Sequence, residues 1–341
     1  MKRKQSGSKI MMRLIKLVKP LAFFMVLAVI LGVTGFLCAI QITVLGSMTL
    51  LTAAGINGGL AIKTGCICII IFAVLRGFLH YGEQACNHYI AFKLLALIRD
   101  KVFKSLRRLT PAKLEGKDKG NLISLITSDI ELLEVFYAHT ISPICIAFLT
   151  SLVMLIFIGR YSIWLMLVAL AAYITVGIII PLVSSKFNKN IGMTYRENSG
   201  ALSGYVLDSM RGLLESIRYN STDTRLNEMN EKTDELNSLQ KKLKKIEGHN
   251  ISITDISIIF FSITMLLVAI CLYQKGTIGF DGLIVSTVAM MSSFGPVAAL
   301  SNLAGNLTHT LASGERVLSI LDESPVVEEN TNGDDIIFDG M

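Results

Sequence analysis

Arg76, His80, Glu83 and Asn87 follow one another at steps of four, three and four, so a helix carries them as one stripe. Counted from Leu60, the stripe begins about 24 Å along its helix, in the inner half of a membrane span. Ionisable groups at that depth are costly, face the interior of a bundle and mark a pathway. They are the candidate lining of a cavity. The alternative is structural, with Arg76 reaching for the interface and Glu83 pairing with His80 or a neighbouring helix. Asn302, Asn306 and His309 recur at steps of four and three after Pro296, and either line the same cavity or bond across a helix interface. Gly295-Pro296 permits a kink there. No catalytic or metal-binding set is expected: the six cysteines lie in or beside apolar segments without a CxxC pair, the pattern of buried, reduced thiols.

These residues need spans to hold them. Of 341 residues 52% are hydrophobic and 17% charged. Uncharged runs cover Leu21–Ile62, Val135–Gly159, Tyr161–Ser185, Ile256–Gln274 and Gly282–Gly314. About 20 apolar residues cross a hydrocarbon core. The first run is twice that length and turns at Thr52–Gly59, which gives six transmembrane helices in the lipid bilayer. Seven basic residues and no acidic ones precede the first span, so both termini are expected in the cytoplasm. With no small-residue cleavage site after a short apolar core, this leader is not expected to be a cleaved signal. Topology accounts for the net charge of +6, and no nucleic acid partner is expected.

Two cytoplasmic excursions, 84–134 and 184–255, are too long and too regular for loops. Leu226, Met229, Thr233, Leu236, Leu239, Leu243 and Ile246 recur at three- and four-residue steps, the period of one helix face. No Gly or Pro interrupts Asn220–Glu247, so a rod of about 40 Å is expected. Rods that descend and return need turns, and these fall at Thr110–Asn121 and Ser209–Asp223. Each tip either docks a soluble partner or is a solvated turn; two in matching positions favour docking.

The expected fold is an all-α membrane protein whose six transmembrane helices extend into the cytoplasm as long helical hairpins. This pattern resembles the transmembrane half of a type I ABC exporter. GNLISLITSDIELLE (Gly120–Glu134) resembles the stretch after that family's first coupling helix, with Gly120 and Asp129 matching, Leu125 where Arg is usual and Asn121 in place of an acid. MRGLLESIRYN (Met210–Asn220) resembles the second coupling helix, and ASGERVLSILDESP (Ala312–Pro325) the exit from span 6 into the linker.

The resemblance implies a basic N-terminal segment (1–19), a six-helix domain (20–315) and a linker leading into a nucleotide-binding domain (316–341). It implies coupling through Pro111, Lys113, Leu114, Gly120 and Asp129, and through Arg211, Gly212, Glu215 and Arg218. The partners implied are a second half-transporter, identical or different, and a nucleotide-binding domain in cis or in trans. ATP and magnesium belong to that domain, since the chain carries no G-x-x-x-x-G-K-[ST] loop of the kind that cradles phosphates. Family members are ATP-hydrolysing translocases of the plasma membrane. The rival expectation is a non-transporting membrane scaffold or sensor. Arg76–Arg99 also resembles CydC-type subunits of thiol exporters, which would make His88 a candidate haem ligand; the rival reading is a hydrogen-bonded interfacial histidine.

Overall fold

The structure is a computed structural model and describes residues 7–56, 60–110 and 125–325. All regular elements among the described residues are helical. An amphipathic helix α1 (Gly7–Leu17) and a 3-10 turn (Lys19–Leu21) precede α2 (Ala22–Ala53) and α3 (Ile62–Leu109). A short helix α4 (Ile130–Phe136) leads to α5 (Ser142–Gly159) and α6 (Ile163–Ile174). Then come α7 (Ile180–Arg211), α8 (Leu213–Arg218), α9 (Thr222–Gln274) and α10 (Phe280–Leu321). Among the described residues, six stretches are long and apolar enough to cross a membrane: Lys19–Ala53, Ile62–Leu109, Ser142–Gly159, Ile163–Ser184, Thr222–Gln274 and Phe280–Leu300.

Among the described residues there are three π turns, at Leu125–Asp129, Tyr137–Ile141 and Thr175–Ile179. The last two each end two residues before a proline, Pro143 and Pro181. Proline lacks an N–H and crowds the carbonyl four residues earlier, so widening the preceding turn lets the helix continue. Pro296 has no such turn, and α10 runs helical through it.

Contacts divide the chain into two compact units. The first comprises Met1–Phe23, His88–Ala138 and His309–Met341. In it α1 turns Ile10 and Leu14 inward, one side chain per turn, and Val18 just past its end continues the series. Along α3, Ile90, Leu94, Ile98 and Val102 are buried at steps of four. Leu14 lies against Leu133 and Gly314, where a β-carbon on Gly314 would stand 2.8 Å from Leu14 Cδ1. The Tyr137 hydroxyl donates to the Leu14 carbonyl at 3.0 Å, and burial pushes that phenol above its ordinary range.

The second unit comprises Phe24–Asn87 and His139–Thr308. Its core joins α2, α5, α6, α9 and α10 through Ile40, Met154, Leu165, Ala169, Met265 and Met290. Tyr173 and Ser293 share a hydrogen bond of 2.5 Å, so neither hydroxyl is left unpaired in an apolar interior. By contrast, α3 between Ile62 and Tyr81 buries little but Gly65. The expected rod is present and longer than expected, since α9 runs 53 residues without a break.

Candidate functional sites: the membrane stripe and the hairpin tip

The structure splits the Arg76 stripe. Arg76 and His80 are exposed, while Glu83 and Asn87 are buried. The four share one face of α3, but the face passes from open surface into the α2–α5 contact as the helix descends. His80 Nδ1 lies 3.3 Å from Glu83 Oε2, with the two side chains 65% and 8% exposed, so the imidazole caps the buried carboxylate. Glu83 faces α2 at Gly32: a β-carbon there would stand 3.2 Å from Glu83 Cδ and overlap the side chain of Ile146 on α5. One helical turn beyond Glu83, the Asn87 carbonyl oxygen finds no donor among the described residues, and the Ser142 and Thr150 hydroxyls are likewise unpaired. An orphaned buried acceptor costs about 1–3 kcal/mol, so this position favours any donor brought to it. Asn302, Asn306 and His309 lie on α10, but their side chains fall outside the described residues.

The second hairpin is a pair of rods. Met229, Thr233, Leu236, Leu239, Leu243 and Ile246 are half-buried along α9, which packs on α7. Asn198 Nδ2 donates to Glu235 at 2.9 Å. Nearer the tip, the Tyr205 hydroxyl donates to Glu228 at 2.5 Å while Arg225 and Lys232 lie 5.6 and 5.5 Å from its ring centre. The hydrogen bond to Glu228 is the largest cause holding the Tyr205 phenol above its usual range.

Between the rods sits the six-residue α8, entered through Gly212, whose N–H donates to the Asp208 carbonyl at 2.8 Å. The expected site residues Glu215 and Arg218 pair with each other at 3.5 Å, and Arg211 is exposed. What the tip presents is apolar: Met210, Leu213, Leu214, Ile217 and Tyr219 are all exposed, Leu214 at 72%. The signal for them was the run Leu213-Leu214 at a turn between two charged rods. At the first hairpin, Pro111, Lys113, Leu114 and Gly120 lie outside the described residues.

Asp129 is described and buried, in the first unit. Ser313 Oγ donates to its Oδ1 at 3.0 Å, and Arg316 Nη1 lies 3.1 Å from Oδ2. It thus ties the start of α4 to the last turns of α10. Because Arg316 is half-exposed and can turn to water, Asp129→Ala is expected to cost about 1–3 kcal/mol. Thermal unfolding of the purified chain in detergent measures this; an unchanged midpoint means the tie is idle.

His88 is exposed and stacks on Phe92 with ring centres 6.1 Å apart. An exposed imidazole against an exposed phenyl ring encloses no apolar cleft for a porphyrin, so these residues do not fit haem. Among the described residues, no group of three His, Cys, Asp or Glu side chains could hold a metal ion.

The ABC transporter transmembrane region matches residues 21–297. The chain belongs to that family. It is 44% identical over 326 residues to a probable ABC transporter ATP-binding/permease protein of Haemophilus influenzae, covering 96% of this chain and 59% of that protein. It is 22% identical over 265 residues to the glutathione/L-cysteine transport system ATP-binding/permease protein CydC of the same species, covering 76% and 45%. It is 24% identical over 327 residues to ATP-dependent lipid A-core flippase 1 of Colwellia psychrerythraea, covering 94% and 53%. The chain spans about half the length of the curated relatives it matches. Its identities to CydC, 22%, and to the flippase, 24%, are of the same order.

Proposed function

We propose that this chain is the translocation half of an ATP-driven exporter. It lies in the plasma membrane with both termini in the cytoplasm and pairs with a second six-span half around a central pathway. The observation that carries this reading is the exposed apolar α8 at the end of two rods. From Thr222 to the uncharged run starting at Ile256, α9 extends about 50 Å, so the tip stands far outside the apolar spans. A greasy six-residue helix held there by two charged helices is a docking surface, and we assign it to a nucleotide-binding domain supplied in cis or in trans. The segment near 111–119 is assigned the same role, and the linker from 316 leads toward that domain. ATP and magnesium are bound by that domain. Closure of two such domains pushes on the tips, and the rods carry the displacement to the membrane. Substrate affinity must differ between the two resulting states for the coupling to work.

Within the spans, Glu83 with its His80 cap and Asn87 with its unpaired oxygen are the proposed polar lining, joined by Arg76 and the Asn302, Asn306 and His309 series. The names of the relatives supply the first substrates to try: glutathione, L-cysteine and lipid A-core. The test reconstitutes the chain together with its nucleotide-binding domain in liposomes and follows each compound across the bilayer. Transport that requires hydrolysable ATP supports the reading. Stable partner binding with no nucleotide dependence, and no movement of any of the three, leaves the scaffold reading standing instead.

A further inference from the structure

The first unit contains a hollow of about 780 Å³ into which two elements bring cations, Arg13 and Lys16 from α1 and Lys101, Lys104 and Arg108 from α3. The rest of its lining is largely apolar: Leu17, with Leu318 and Leu321 from the end of α10. Carboxylates reach two of the cations. Asp322 binds Arg13 through both guanidinium nitrogens, one at 2.6 Å, and Asp100 pairs with Lys104 at 2.8 Å. Lys16 and Lys101 are exposed, and no carboxylate among the described residues lies within 4 Å of either. The end of α10 adds its dipole, worth about half a negative charge. Ser105 and Arg108 already take two carbonyls there, those of Ile320 at 2.9 Å and Glu323 at 3.4 Å. Half a charge does not balance two lysines.

The chain itself carries the missing charge. α10 ends at Leu321, in the wall of the hollow. From Asp322 to Met341 the sequence has seven acidic residues and no Lys, Arg or His. Asp322 and the Glu323 carbonyl are bound by Arg13 and Arg108, so the acidic stretch starts at the rim. Ser324-Pro325 comes next, a dipeptide that favours a turn. Val326-Val327 and Glu328-Glu329 follow, an apolar pair to match the leucines and an acidic pair to match the lysines. Reach is sufficient. Lys101 lies about 10 Å along α3 from Arg108, while five residues from Glu323 to Glu328 span up to about 17 Å. A short tether also holds the carboxylates at an effective concentration of about millimolar. A free inorganic anion would meet the lysines but leave the three leucines bare.

We propose that this hollow is the docking site for the chain's own acidic segment 326–329. Glu328 and Glu329 pair with Lys16 and Lys101, and the two valines cover the leucines. Docked so, the segment is strapped to α1 and α3 as well as to α10, and the residues after it set out from a fixed place on the first unit. The contact uses residues of this chain alone and holds whether or not the chain transports.

The test is carbodiimide coupling of the full chain in detergent, followed by mass spectrometry of its tryptic peptides. This reagent joins a lysine to a carboxylate only where the two are in contact. Amides from Lys16 or Lys101 to Glu328 or Glu329 are expected, and 1 M salt, which shortens the screening length to about 3 Å, should suppress them. A second readout is cleavage of the segment by a protease of broad specificity, whose rate follows the undocked fraction. Lys16→Glu/Lys101→Glu and Glu328→Lys/Glu329→Lys should each raise that rate by about fivefold or more. Combining all four changes should bring it back toward the native rate. Both lysines are exposed, so their reversal leaves the core intact, and the coupling experiment needs no variant. Absence of these amides, with equal cleavage of native chain and variants, overturns the proposal. Equal coupling of Glu328 and Glu329 to Lys241 and Lys245 on α9 overturns it too, as does coupling found only between two copies of the chain. Inorganic phosphate that saturates the native chain and Glu328→Lys/Glu329→Lys alike would show a hollow open to free anions, and this also overturns it.

Discussion

Leu214→Glu is expected to leave production and thermal unfolding of the chain unchanged while reducing ATP-driven transport by at least about a hundredfold. The two halves of that result have separate causes. Leu214 is 72% exposed on α8, and substitutions of such side chains usually move stability by no more than about 0.5 kcal/mol. Against a docked domain the same side chain is covered, and a carboxylate buried there without a partner costs about 3–5 kcal/mol, roughly two to four orders of magnitude in a binding constant. Ile217→Glu should behave alike. Arg218→Gln should not, because its exposed pair with Glu215 stays on the helix and such pairs contribute at most about 1 kcal/mol. The measurement is ATP-dependent uptake into liposomes, alongside co-purification of the nucleotide-binding domain. Normal transport by Leu214→Glu would sink the docking assignment for α8, whatever the substrate.

Gly32→Val should lower thermal stability sharply and also disturb the polar stripe. Even one added carbon at Gly32 meets Ile146 and the Glu83 carboxyl group, and both partners are buried. Overpacking a close-packed interior costs about 1–3 kcal/mol. The upper end applies here, because Glu83 can give way only by leaving His80 or α2. Gly46 on the same helix is the control: a β-carbon there meets nothing within 4 Å in the chain, so Gly46→Val should unfold at nearly the native temperature. Unfolding midpoints in detergent decide the matter. Equal midpoints for the two variants would mean that α2 and α3 stand further apart at Gly32 than described.

The spans and the second hairpin were legible because both are written in short-range pattern. Uncharged runs gave the six crossings, and the three- and four-residue steps from Met229 to Ile246 marked the face of α9 that packs on α7. The Arg76 stripe was legible as a register, but its division between exposed His80 and buried Glu83 was not. That depends on how α2 and α5 close over one stretch of α3 and not over the next. At the tip, the resemblance named Arg211, Gly212, Glu215 and Arg218, and the structure adds the exposed apolar side chains beside them, Leu213, Leu214, Ile217 and Tyr219. Asp129 stood out through resemblance, yet its partners Ser313 and Arg316 lie more than 180 positions away, and no local pattern joins them. A hollow lined by Arg13, Lys16, Lys101, Lys104 and Arg108 was hidden for the same reason, its cations being divided between α1 and α3. The π turns before Pro143 and Pro181 were not read from the sequence, because the widening that absorbs each proline depends on the helix continuing beyond it.

The unbroken length of α9 has a mechanical meaning. Fifty-three residues in one helix make a beam of about 80 Å with no hinge at which motion could be lost. If the beam pivots where it enters the bilayer, a tilt of roughly 5° sweeps its far end through about 4 Å over the outlying 50 Å. In the coupling proposed above, such a beam would trade travel for force: a displacement of one side chain's width at α8 would become a change of a few degrees among the spans, delivered with correspondingly greater thrust.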